Sequence, residues 1–165
     1  MIDTIFRFLT EHISAYGAVF LVSMIPLIEL RGSVIVGTAF GLPWLNVLAL
    51  SIVGNLIPIP FILIFGEKLI AWIKTLPMLS RLTNWYEARL MSKSTTIQKY
   101  AFYGLWAFVG IPLPGTGAWS GSLIAALLDV PPKKAFAAVI CGVLTAGIIM
   151  TIGSLGVVGL FQLFA

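Results

Sequence analysis

Cysteine and histidine are nearly absent from this chain of 165 residues, each occurring once. Cys141 lies in an apolar run, which excludes an internal disulfide and a cysteine metal cluster, and the lone His12 leaves no basis for a histidine site. No metal and no cofactor are expected. Charge is scarce as well: 10% of the residues are Asp, Glu, Lys or Arg, against about 25% in soluble chains. Hydrophobic residues make up 59%, too many for the surface of a soluble monomer, so an integral membrane protein is expected. The net charge of +4 is modest. Lys68, Lys74, Arg81, Arg89, Lys93 and Lys99 concentrate in one central segment, which suits anionic lipid headgroups rather than nucleic acid. Asp3, Arg7, Glu11 and His12 interrupt the N-terminus, so it lacks the continuous apolar core of a cleaved signal peptide and is expected to stay attached.

Along the chain, one membrane domain over 1–165 divides into four parts. In 1–16, Ile2, Ile5, Phe6, Leu9, Ile13 and Tyr16 recur at helical spacing opposite Asp3, Arg7, Thr10, Glu11 and Ser14, the pattern of an interfacial helix. A first unit, 17–66, holds the apolar stretch Gly17 to Leu42, broken at its middle by Pro26, Glu29, Arg31 and Gly32, followed by a span from Trp44 to about Phe65 that Pro58 and Pro60 should kink. A straight helix through the first stretch would carry an ion pair into lipid. A re-entrant hairpin avoids this, with Gly17 to Ile25 entering, a turn over Pro26 to Gly32 and Ser33 to Phe40 returning. Hairpin tip and mid-span break both stay open. Segment 67–100 reads as basic amphipathic helix divided at Pro77. The last unit, 101–165, repeats the plan: Ala101 to Gly110, a turn over Pro112 to Gly117, Trp119 to Leu128, and a span from Ala135 to about Gly153. The tail with Gly153, Gly156 and Gly159 is compatible with continuing or folding back, its glycines suiting close helix packing.

Sliding one half over the other sets Gly32-Ser33-Val34-Ile35 on Gly121-Ser122-Leu123-Ile124 and Pro43 on Pro132. A hairpin that returns to its own side plus one crossing gives an odd number of crossings, so two such units would be inverted with respect to each other. The expected fold is thus an all-α polytopic membrane protein, an inverted repeat of re-entrant hairpin plus transmembrane helix. By the positive-inside rule 67–100 should be cytoplasmic, with both termini outside.

Pro26-Leu27-Ile28-Glu29-Leu30-Arg31-Gly32 and Pro112-Leu113-Pro114-Gly115-Thr116-Gly117-Ala118-Trp119-Ser120-Gly121 resemble the paired signatures of the bacterial and archaeal small multi-drug export protein family, which looks like a compact branch of the DedA superfamily. The resemblance covers about Gly17 to Gly153. It implies two hairpins in an inverted repeat and movement of lipids or lipid-linked carriers across a cell membrane, coupled to protons. The larger relatives' arginine signature in the second half is missing here, since no arginine follows Arg89.

The candidate substrate or ion site comprises Pro26, Glu29, Arg31 and Gly32 from the first motif, and Pro112, Pro114, Gly115, Thr116, Gly117, Trp119 and Ser120 from the second. Glu29 is the lead residue, because an ionisable group at a broken helix in the membrane marks function by default and removal from water favours its neutral, protonated form. The plainer reading is a carboxylate that pairs with Arg31 or caps backbone amides. Arg31 is suited to a phosphate or carboxylate headgroup, or to neutralising Glu29. Pro114, Gly115 and Gly117 free backbone N–H groups at a helix start, where an anion is favoured. Thr116 and Ser120 either add hydroxyl contacts or satisfy backbone, and Trp119 either walls the path or anchors at the interface. Asn55, secondary to these, is placed to hydrogen-bond across helices. Gly117 to Gly121 has the wrong glycine spacing for a nucleophile elbow and no histidine to serve it, so no enzyme is expected. These residues lead to a transporter, scramblase or flippase moving an amphipathic or lipid-linked anionic substrate, with protons and membrane lipids as partners. The alternative is a non-transporting module that organises lipid. A homodimer would help shield the polar turns.

Overall fold

The computed structural model describes residues 14–74 and 94–164, and all regular structure among them is helical. The helix expected over 1–16 lies outside the described residues except for its last three, and so does 75–93 of the basic segment.

Local chemistry sets the first helices. Ser14 opens α1 (Ala15–Met24), its hydroxyl accepting from Gly17 N–H at 3.2 Å. The chain leaves the helix at Ile25, extended at ψ 127°, because a residue before proline is pushed out of the helical region. After a turn over Ile25 to Ile28, α2 (Glu29–Ala39) begins. The turn is therefore shorter than the Pro26 to Gly32 expected from sequence. Glu29 and Gly32 N–H already donate to the carbonyls of Ile25 and Ile28, both at 3.0 Å, in helical register. Gly32 is there for room: a Cβ would lie 2.2 Å from Ile28 Cγ2.

Helix α3 (Trp44–Leu56) and helix α4 (Ile59–Lys74) form one path broken at Ile57 and Pro58, where proline cannot donate its hydrogen bond. Helix α5 (Ser94–Gly110), a loop over Ile111 to Gly117, helix α6 (Ala118–Leu127) and helix α7 (Pro132–Phe164) complete the order. Units drawn at 66/67 and 100/101 cut through α4 and α5. Charged residues mark the edge of the apolar run, but they do not end a helix, and Gly66 lies within α4. The glycine-rich tail continues α7. A Cβ at Gly153 or Gly156 would meet nothing within 4 Å, so these two make no close packing among the described residues.

Two helical stretches, Trp44–Gly66 and Pro132–Val157, are long and apolar enough to cross a membrane, and 39% and 44% of an apolar 18-residue window in each is buried. A soluble core helix would be mostly buried. Here the outward faces carry large hydrophobics, among them Phe61, Ile64, Ile148 and Ile152, as a lipid-facing surface requires.

The two halves share a packing plan. Helices α1, α2 and α3 all touch one another, as do α5, α6 and α7. Gly37 of α2 sits against Val47 of α3, and one turn away Ser33 Oγ donates to Ser51 Oγ at 2.7 Å, so these helices run antiparallel. The ends of α2 and α6 are built alike. Leu42 N–H returns to Gly37 O and Gly41 N–H to Thr38 O; Val130 N–H returns to Ala125 O and Asp129 N–H to Ala126 O. Gly41 and Asp129 both take left-handed φ, at 67° and 51°, the paired bonds of a Schellman cap. This pairs Pro43 with Pro131, one residue away from the Pro132 given by the ungapped alignment. Gly54 and Gly142 correspond as well, each letting its helix approach a carbonyl, of Phe20 and of Trp106.

Candidate functional site

The first half reaches the second through Glu29. Its side chain is 6% exposed. Oε2 accepts from Ala118 N–H at 2.9 Å and Oε1 from Trp119 N–H at 3.0 Å. Those are the first two amides of α6, which the helix itself leaves without partners. The carboxylate of α2 thus caps a helix some ninety positions later, at the end whose dipole favours negative charge. Gly117, the N-cap of α6, has φ 144°, and a Cβ there would lie 2.1 Å from Glu29 Oε2. Only glycine allows the carboxylate to close over this helix start. Glu29 itself opens α2 with φ 51°, a conformation that costs roughly 1–3 kcal/mol outside glycine and persists where surroundings impose it.

Arg31, half-buried one turn edge further on, grips the other broken end. Nη1 donates to Leu113 O, and Nη2 donates to Ile111 O at 3.3 Å and to Thr116 Oγ1 at 2.6 Å. These carbonyls follow directly on the C-terminus of α5, where positive charge is favoured. Thr116 ties the loop from inside, its hydroxyl 2.9 Å from Ile111 O and 2.8 Å from Leu113 O, and it accepts from Leu113 N–H at 3.3 Å. One motif therefore carries a negative and a positive group two residues apart, each set on the complementary helix end of the other motif. The pairing of Glu29 with Arg31 considered from sequence gives way to this cross-half clasp. The amides expected to receive a substrate anion shift from Gly115–Gly117 to Ala118 and Trp119, and Glu29 already engages them.

Beside the clasp lies a cavity of about 430 Å³, lined by Pro26, Glu29, Arg31, Thr116, Trp119 and Ser120, with Pro112, Pro114, Gly115 and the apolar Leu27, Leu123 and Met150 completing it. That volume is in the range of small-molecule sites, roughly 300–1,000 Å³. Trp119 walls this cavity, with its Nε1 buried and unpartnered. Ser120 Oγ turns back to Gly117 O at 3.4 Å and serves the backbone. Of the sequence candidates, Gly117 shapes the clasp without lining the larger cavity, and Gly32 lines neither it nor the small void behind. Asn55 does not make the cross-helix bond expected of it: it is 2% exposed and its Oδ1 has no partner. Leu123 and Met150 were not singled out from sequence, since nothing distinguishes them from other apolar residues.

Two helical stretches long and apolar enough to cross a membrane, with large hydrophobics on their outward faces, suit a membrane protein. Residues 29–149 match the family described as "Putative small multi-drug export protein", and the chain belongs to it. The match takes in Glu29, Arg31, Asn55 and the whole second motif. No curated protein and no solved structure matches the chain.

Proposed function

We propose that this protein moves an amphipathic anionic molecule, such as a phospholipid or a lipid-linked phosphate, across the cell membrane, and that opening of the Glu29–Arg31 clasp is the transport step. The carrying observation is that the same two side chains bind the halves together and line the cavity of about 430 Å³. The family description, which speaks of export, supports transport in general terms.

The helical pairs α1–α2 and α5–α6 are re-entrant hairpins in this account. Helices of 10 and 11 residues such as α1, α2 and α6 reach only about 15–17 Å, roughly half a hydrocarbon core. The matched Schellman caps and matched helix contacts favour a repeat, and the meeting of α2 and α6 at their N-termini favours hairpins entering from opposite faces. Segment 67–100 then faces the cytoplasm.

An anion entering the cavity offers Arg31 a charge-assisted bond, stronger than the neutral carbonyls of Ile111 and Leu113 provide. Protonation of Glu29 removes the charge that α6 binds. Either event loosens the clasp, and both together allow one half to rock on the other. The apolar part of the substrate stays against Leu27, Leu123 and Met150, toward lipid.

The test is transbilayer movement of fluorescent phospholipid and of a polyprenyl-phosphate probe in proteoliposomes, with and without a pH gradient. Movement that requires the gradient and collapses in Glu29→Gln is the expected result. Equal movement in both proteins would remove Glu29 from the mechanism, and no movement of either lipid would leave a module that organises lipid without transporting it.

A further inference from the structure

Behind the clasp, away from the larger cavity, is a void of about 10 Å³ lined by Glu29, Leu30, Arg31, Asn55, Val109, Gly117, Ala118, Val143 and Ala146. Its polar members are one carboxylate, one guanidinium and one amide. Asn55 Oδ1 is a buried acceptor with no hydrogen-bond partner among the described residues, a state costing about 1–3 kcal/mol unless a donor reaches it. The room corresponds to one water, which needs roughly two to four polar partners. A metal cation would require a fuller oxygen shell and would sit beside the Arg31 guanidinium.

Glu29 poses a second requirement here. Both its oxygens accept amide hydrogens from α6, so the charged form is served by the clasp. A protonated Glu29 gains an O–H that finds only donors on that side, and it needs an acceptor elsewhere. We propose that a single water in this void joins Asn55 to Glu29 and serves the carboxyl in both protonation states. With Glu29 charged, the water donates one hydrogen to Asn55 Oδ1 and the other to the carboxylate. When Glu29 takes up a proton, the water turns its lone pair to the new O–H and keeps its bond to Asn55. The hydrogen bond the water donates to the carboxylate is exchanged for one it accepts from the new O–H, no covalent bond of the water breaks, and Glu29 alone gains the proton. Asn55 is thus a positioning residue that holds the neutral state. Among the described residues, the elements packed around Glu29 bring no titratable side chain to it besides Arg31 on its own helix. The inference rests on the transport reading only for its purpose, since the void lined by Glu29 and Asn55 and the unpartnered Asn55 Oδ1 are independent of it.

Infrared difference spectra of the full chain in lipid bilayers, recorded as pH is stepped, test it without measuring transport. Glu29→Gln identifies the carboxyl band, and exchange into H2¹⁸O identifies water O–H bands. The expected result is a water band that shifts with ¹⁸O, changes as the Glu29 carboxyl band titrates and is lost in Asn55→Leu, where the C=O band of protonated Glu29 moves to higher frequency because its hydrogen bond to the water is gone. Should Asn55→Leu not fold, Asn55→Ser keeps an acceptor and must keep the water band. A wild-type protein without such a band, a band unaltered by Asn55→Leu or lost in Asn55→Ser, or a protonated Glu29 band at the same frequency in wild type and Asn55→Leu overturns the proposal. Failure of lipid movement with this band intact would instead count against the transport reading alone.

Discussion

Two glycines in the second motif separate backbone freedom from room at the level of single residues. Gly115 and Gly117 both have left-handed φ, at 83° and 144°, but a Cβ at Gly115 meets nothing within 4 Å, whereas at Gly117 it collides with the Glu29 carboxylate. Gly115→Ala should therefore cost only the conformational penalty, about 1–2 kcal/mol, while Gly117→Ala should cost more, on the order of 3–5 kcal/mol, because it also expels a buried charge from its amides. Thermal unfolding of the detergent-solubilised variants reads the difference, and equal losses would count against a closed clasp. Arg31→Lys preserves charge but cannot fork between Leu113 O, Ile111 O and Thr116 Oγ1. Transport in proteoliposomes should fall roughly tenfold, the worth of one charge-assisted bond. Glu29 could be picked from sequence because a lone carboxylate in an apolar run stands out. Its partners could not, since the amides of Ala118 and Trp119 are backbone groups that every residue possesses and only the fold says which are left over.

Among the elements, the loop between α5 and α6 depends on Thr116. Replacing it with the isosteric valine removes one acceptor each from Arg31 Nη2 and Leu113 N–H, which keep only Ile111 O, at a cost of about 0.5–1.5 kcal/mol per bond lost. Thr116→Ser should restore most of it, which the same unfolding measurement checks; a valine variant as stable as wild type would show that the loop is held by other means. The helices themselves were largely readable, because long apolar runs and proline or glycine breaks are local signals. The spans at Trp44–Gly66 and Pro132–Val157 and the loop before α6 follow from them. Gly32 misled, as a glycine read as part of a turn is a helix residue needed for contact with Ile28. The likeness of the α2 and α6 ends, which sets Pro43 beside Pro131 rather than Pro132, was likewise beyond an alignment of few identities, because it lies in backbone hydrogen bonds.

For the molecule as a whole, the distribution of polarity is the informative property. Large hydrophobics face outward, while the buried polar groups Glu29, Ser33, Ser51 and Asn55 gather inside, where polar groups at membrane depth carry function or bind helices together. The clasp joins the two halves by charge where helix packing joins them elsewhere, as at Gly66 against Ala126 and Gly147 against Leu48. A residue inside the cavity but outside the clasp should therefore change its exposure when the clasp opens. Leu123 qualifies, since it lines the cavity from α6. In a Cys141→Ser background, Leu123→Cys can be labelled with a membrane-impermeant thiol reagent applied to either face of oriented vesicles. The account predicts labelling from one face in the resting protein and, when Glu29→Gln is added, labelling that appears at the opposite face. Labelling confined to the same face and unchanged in rate by Glu29→Gln would contradict a clasp that gates the path.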